Sequence, residues 1–156
     1  MLKIIDFDYV KRNYFLFDIA NHFNEYAGLE CDYDRYFPSD EEMSRFIGIY
    51  RKAMRAELNK CREDARCREL GEIIPGQSHF FMCAANREEE QEEEQRTIAH
   101  WVRLVKLLTL ASHLSWGIWA LLQEAVSALE MDFLVYAKCR LKRYLETKYT
   151  FSAGFN

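Results

Sequence analysis

Apolar positions along this chain recur mostly at the spacing of a helix, and once, at the start, at that of a strand. Ile4, Ile5 and Phe7 read as strand residues, yet Asp6 and Asp8 sit among them, two apart and therefore on one face. From Tyr14 to Tyr26, Phe15, Ile19 and Phe23 fall four apart and predict a helix ended by Gly28. Asp18, His22 and Glu25 follow helical spacing on another face. The stretch ECDYDRYFPSD reads as a loop closed by Pro38. Ser39 and Glu42 then form a capping box, and Met43, Phe46, Ile47, Tyr50, Met54 and Leu58 make the apolar stripe of a long helix.

The character changes from about Cys61 to Arg96. GEIIPGQS breaks the helix and REEEQEEEQR is a low-complexity acidic run, so residues 61–96 read as an exposed insertion. The acidic residues of 88–94 suit a solvated helix entry better than a partner tail, since glutamates are favourable at a helix N-terminus. The helix that follows, Thr97 to Ser127, is apolar almost all round in its second half, which predicts burial on most sides and a central place in the core. A last helix, Asp132 to Lys148, is expected to turn Phe133, Tyr136, Ala137, Leu141, Tyr144 and Leu145 inward, leaving 149–156 as a tail. The expected fold class is mainly α with a short N-terminal β segment.

Composition narrows the function. With 156 residues, 49% of them apolar and 15% aromatic, the chain is long enough for one domain with a real core. A net charge of -4, with acids and bases interspersed, argues against nucleic acid, which needs a basic face. Five cysteines without a CxxC pair indicate neither a disulfide framework nor a zinc site, and make a reducing, cytoplasmic setting the default. No basic region followed by an apolar run and a small-residue cleavage site marks a secretory signal. The longest apolar stretch, Leu107 to Leu122, is interrupted by Thr109, Ser112, His113 and Ser115 and is short for a membrane span, so it reads as a core helix.

Three groups of side chains could carry chemistry. Asp6 and Asp8 repel each other unless a cation lies between them, and their oxygens suit Mg²⁺ bound with substrate phosphates; a water-exposed strand edge is the plainer alternative. Asp18, Asn21, His22 and Glu25 are either a ligand set or a self-satisfied helix face. Trp116, Trp119 and Tyr136 are either core packing or the walls of a site.

The order of four motifs decides between these readings. IDFDY, FDIANHFNEYAG, ASHLSWGIWALLQ and LEMDFLVYAKCRLKRY together resemble the C-terminal lobe of the choline/ethanolamine kinase family, over residues 1–148 apart from the insertion. The resemblance implies the helical lobe of a protein-kinase-like fold and the ATP-dependent phosphorylation of a small amino alcohol, the first step of phospholipid head-group synthesis. It implies that Asp6 holds Mg²⁺ against the nucleotide phosphates, with Asp8 as the second acid. Tyr9, Glu25, Trp116, Trp119 and Tyr136 match positions of the family's substrate pocket, where aromatic faces and a carboxylate attract an ammonium group. Asp18, Asn21 and His22 match supporting positions, Asp18 bracing the catalytic loop. The acids Glu25, Glu30 and Asp32 lean towards ethanolamine, because a primary ammonium needs hydrogen-bond acceptors.

The departures bear on activity. The family's catalytic loop has the form HNDxxxxN; none of His22, His79, His100 or His113 begins one, and no glycine-rich phosphate loop occurs. The expectation is a C-terminal lobe with no catalytic base of its own, whose partner is either a missing N-terminal lobe or a second copy in a homodimer. The alternative is a non-catalytic helical domain that binds an amine or a partner protein.

Overall fold

The computed structural model describes residues 9, 11–63, 87–153 and 155. The expected β segment, with Asp6 and Asp8, and the part of the insertion from 64 to 86 lie outside the described residues. Among the described residues there is no strand, and the fold is mainly α: α1 Phe15–Glu25, α2 Tyr33–Tyr36, α3 Asp40–Glu63, α4 Arg87–Val126 and α5 Phe133–Ser152. The chain divides into two compact units, one of residues 1–37 and 105–156, the other of 38–104, and α4 contributes to both.

In the first unit, α1 buries Leu16, Ile19, Ala20, Phe23 and Asn24. It ends before Gly28, whose φ of 61° lies in the left-handed region that glycine enters without Cβ strain. Cys31 adopts a similar φ of 56°, uncommon for a residue with a Cβ. The loop expected after Gly28 contains one helical turn, α2, because Asp32 accepts a hydrogen bond from the Arg35 N–H and Tyr33 is buried. Arg143 of α5 secures that turn: it pairs with Asp34 at 3.0 Å and lies over the rings of Tyr33 and Phe37.

The second half of α4 departs from expectation. Ile118, Leu121, Leu122 and Val126 are exposed, Val126 at 75%, while Ser112, His113 and Ala120 are buried. The helix packs through its small and polar side, because small side chains let a neighbouring helix approach closely. A Cβ placed on Gly117 would lie 3.1 Å from Leu141 Cγ and Cδ2. Gly117→Val should therefore lower stability by about 1–3 kcal/mol through overpacking; an unchanged urea midpoint would show that α5 gives way freely. On α5 the inner positions belong to Phe133, Tyr136, Ala137, Arg140 and Thr147, whereas Leu145, expected inside, is exposed. The helix also runs past Lys148 into the expected tail.

By length and composition alone, Glu89–Val126 of α4 is sufficient to cross a membrane. Its buried polar residues Thr109 and Ser112 are instead hydrogen-bonded to Asn24 of α1 and, through Ser112, to Arg140 of α5, as in a helix packed among neighbours.

In the second unit the capping box is formed: Ser39 N–H and Oγ donate to Glu42 Oε2 at 2.8 and 2.9 Å, and Glu42 N–H donates to Ser39 Oγ at 3.3 Å. These bonds hold the Glu42 carboxyl below its usual range. Met43 and Ile47 of the expected stripe are fully buried. The acidic run lies inside α4, not ahead of it, since Glu, Gln and Arg are good helix formers. Glu94 accepts two hydrogen bonds from Arg51, at 2.9 and 3.0 Å, and one from Arg55 at 2.6 Å. Arg51 in turn stacks over Trp101. One residue of the run is thus a structural anchor, and its carboxyl is held below the usual range by the Arg51 hydrogen bond first.

Candidate functional site

Trp116 and Trp119, three apart on α4, point their rings to one side of the helix, with centroids 5.4 Å apart and planes at 78°. Tyr9 closes the group edge-on, 5.8 Å from Trp116 and 6.5 Å from Trp119. Both indole N–H groups are already used. Trp119 Nε1 donates to Tyr9 Oη at 2.9 Å and Trp116 Nε1 donates to Asn21 Oδ1 of α1 at 3.3 Å. What the two indoles have left to offer a ligand is therefore their π surface.

These rings border a pocket of about 590 Å³. Of the residues singled out in the sequence, Tyr9, Asp18, Asn21, Trp116 and Trp119 line it; Lys11, Asn13, Phe17 and Ser115 line it too and were not foreseen. The side chains of Lys11 and Asp18 are exposed and make no hydrogen bond or ion pair with another described residue. His22 turns elsewhere on α1, its Nε2 3.1 Å from Tyr26 Oη.

Glu25 and Tyr136 meet at a second centre, not on the lining of that pocket. Arg140 of α5, only 1% exposed, donates from Nη1 to Glu25 Oε1 and to Tyr136 Oη, both at 3.3 Å, and from Nη2 to Ser112 Oγ at 2.9 Å. Asn24 Nδ2 donates to the same Ser112 Oγ at 2.9 Å and reaches the Thr109 carbonyl at 3.4 Å. Burial pushes the Tyr136 phenol up to about 12 against the pull of Arg140, so it stays protonated at neutral pH. The two centres touch through packing, because Trp116 and Trp119 lie against the cluster of Ala120, Phe133, Tyr136 and Ala137.

Sequence reasoning missed Arg140, although a signal was present. It follows Phe133, Tyr136 and Ala137 at the next inward position of the same stripe, where a basic residue requires partners. Asn24, between Phe23 and Ala27 on the buried side of the first helical stretch, carried a weaker version of that signal.

Asp6 and Asp8 fall outside the described residues, and among those described no group of three or more His, Cys, Asp or Glu side chains is arranged to hold a metal ion.

Comparison with known proteins places this arrangement. The choline/ethanolamine kinase family model matches residues 1–145. A probable ethanolamine kinase of Arabidopsis thaliana is 35% identical over 147 residues, covering 94% of this chain and 30% of the relative. Ethanolamine kinase 2 of Rattus norvegicus is 33% identical over 153 residues, covering 97% of this chain and 31% of the relative. The chain thus spans about three tenths of the length of these relatives. No solved structure matches it.

Proposed function

Because the chain belongs to the choline/ethanolamine kinase family, we propose that it supplies the amine-recognising part of an ATP-dependent phosphotransferase whose acceptor is ethanolamine. The observation that carries this reading is the aromatic pocket, lined by two indoles whose N–H groups are already bonded and whose rings would offer a face to a ligand. Such faces attract an ammonium group, by about 0.5–2 kcal/mol depending on how far it is desolvated. Tyr9, Trp116 and Trp119 would form the walls. Glu25 is paired with Arg140 off this lining, so the rings rather than this carboxylate would receive the amine. Tyr136 would back the walls, with Asp18, Asn21 and His22 as supports.

Asp6 and Asp8 bring hard oxygen donors, the ligand type Mg²⁺ prefers, and they would hold it at the nucleotide phosphates. The ion would neutralise charge developing on the transferred phosphoryl group. Turnover would require the nucleotide-binding and catalytic-loop elements that do not occur among these 156 residues.

The reading is tested by titrating the 156-residue chain with ethanolamine and with choline while following tryptophan fluorescence. A saturable change is expected for both amines, tighter for ethanolamine. Trp116→Leu or Trp119→Leu should weaken ethanolamine binding by about 2–30-fold, the equivalent of one lost cation–π contact. No saturable response, or wild-type affinity in both variants, would remove the amine from this pocket.

A further inference from the structure

Two cysteines that the aromatic pocket does not use lie along one side of α5. Cys31, the residue with a φ of 56°, packs against the cluster of Ala120, Phe133, Tyr136 and Ala137. Tyr33, two residues on, donates from Oη to Cys31 Sγ at 3.8 Å, and the Arg143 guanidinium lies over its ring at 5.5 Å. Segment 31–33 is therefore laid along α5 from Tyr136 to Arg143, a span of about two turns. Cys139 falls between those two residues, three beyond Tyr136 and four before Arg143, the spacings that share one helix face. Both thiols are free and half-buried, and both belong to the first compact unit.

We propose that Cys31 and Cys139 are a dithiol pair that closes into a reversible disulfide by exchange with a small-molecule disulfide of the glutathione type, tying the segment after α1 to α5. The inference is independent of the amine reading. Exchange runs in two steps. Cys139 loses its proton and attacks one sulfur of the small disulfide, whose S–S bond breaks; one small thiolate leaves and takes up a proton. Cys31 loses its proton and attacks the Cys139 sulfur of this mixed disulfide, and the second small thiolate leaves and is protonated in turn. Two protein thiols are oxidised and one small disulfide is reduced to two thiols. The order follows from the surroundings of Cys31. Burial, helped by the neighbouring Cys139 thiol, pushes the Cys31 thiol up against the pull of the Tyr33 hydrogen bond. A scarce thiolate is a poor match for a dilute external disulfide, but the second step is intramolecular and proximity compensates. In a reducing compartment a bridge of this kind is transient and responds to the redox state.

The test is to reduce the full chain, remove the reductant, expose it to oxidised glutathione, block the remaining thiols and map the cysteines by mass spectrometry of a digest made without reductant. The peptide pair joining Cys31 to Cys139 is expected as the main cross-link, and it should disappear after dithiothreitol. Cys31→Ser should leave Cys139 carrying one glutathione, whereas Cys139→Ser should leave Cys31 largely unmodified. In a chain with Cys61→Ser, Cys67→Ser and Cys83→Ser, oxidation should raise the urea midpoint, because the bridge closes a loop that contains all of α2, α3 and α4, and adding Cys139→Ser should remove the rise. Separate glutathione adducts on Cys31 and Cys139 with no link between them would overturn the proposal. So would a main cross-link from either of them to Cys61, Cys67 or Cys83, or a Cys31 thiol that takes up glutathione in Cys139→Ser as readily as Cys139 does in Cys31→Ser.

Discussion

Arg140→Ala should lower the free energy of unfolding by about 3 kcal/mol, a large part of the stability of a domain this size. The guanidinium is fully buried and draws together three elements: Ser112 on α4, Glu25 on α1 and Tyr136 on its own helix α5. Its removal leaves a cavity and takes hydrogen bonds from Ser112 and Tyr136, which water does not readily replace at a buried site. The Glu25 arm contributes less, because that carboxylate is half exposed and can return to water. Glu25→Gln should therefore cost clearly less than Arg140→Ala. Arg140→Lys should recover little, since an ammonium cannot reproduce the fork that bonds in three directions. Urea unfolding of the three variants checks the order. A loss below about 1 kcal/mol for Arg140→Ala, comparable to an ordinary surface change, would show that the centre does not hold the helices together.

The helices were readable where one side of the periodic pattern was apolar and the other charged. α1 and α3 fall there, and the Ser39–Glu42 box forms as its spacing predicts, because such caps depend on local geometry alone. The pattern misled where apolar residues surround the helix. In α4 no periodic minimum distinguishes Ile118, Leu122 and Val126 from Gly117 and Ala120, and closeness of packing, not hydrophobicity, selected the buried side. The site divides in the same way. Trp116 and Trp119 were legible because helix spacing fixes their relation to each other, and Tyr9 because it belongs to a motif. The separation of Glu25 and Tyr136 from the pocket lining was not legible, since it depends on Arg140, a partner 115 residues from Glu25 whose hydrogen bonds exist only once three helices have packed.

Between pH 6.5 and pH 4.5 the chain should lose about 2–3 kcal/mol of stability through one side chain, His113. The imidazole is 1% exposed, its Nδ1 has no hydrogen-bond partner among the described residues, and the Tyr33 ring lies perpendicular to it with centroids 5.0 Å apart. Burial, reinforced by the positive charges of Arg140 and Arg143, pulls its pKa from 6.5 down to about 3. Well above pH 6.5 the ring is neutral in both folded and unfolded chains and contributes no pH dependence. Below it the unfolded chain takes up a proton that the folded chain refuses, so each pH unit costs about 1.4 kcal/mol until the folded ring titrates near 3. Carboxylates such as Glu94, whose folded pKa is lowered, add their own loss below about pH 5.5, where the unfolded groups begin to protonate. The interval above that isolates the histidine. His113→Phe keeps an aromatic ring against Tyr33 and removes both the titration and the unpaired nitrogen. Its urea-derived stability should stay level from about pH 6.5 to about 5.5 while that of the wild type falls, and parallel curves for the two proteins would place the acid sensitivity elsewhere.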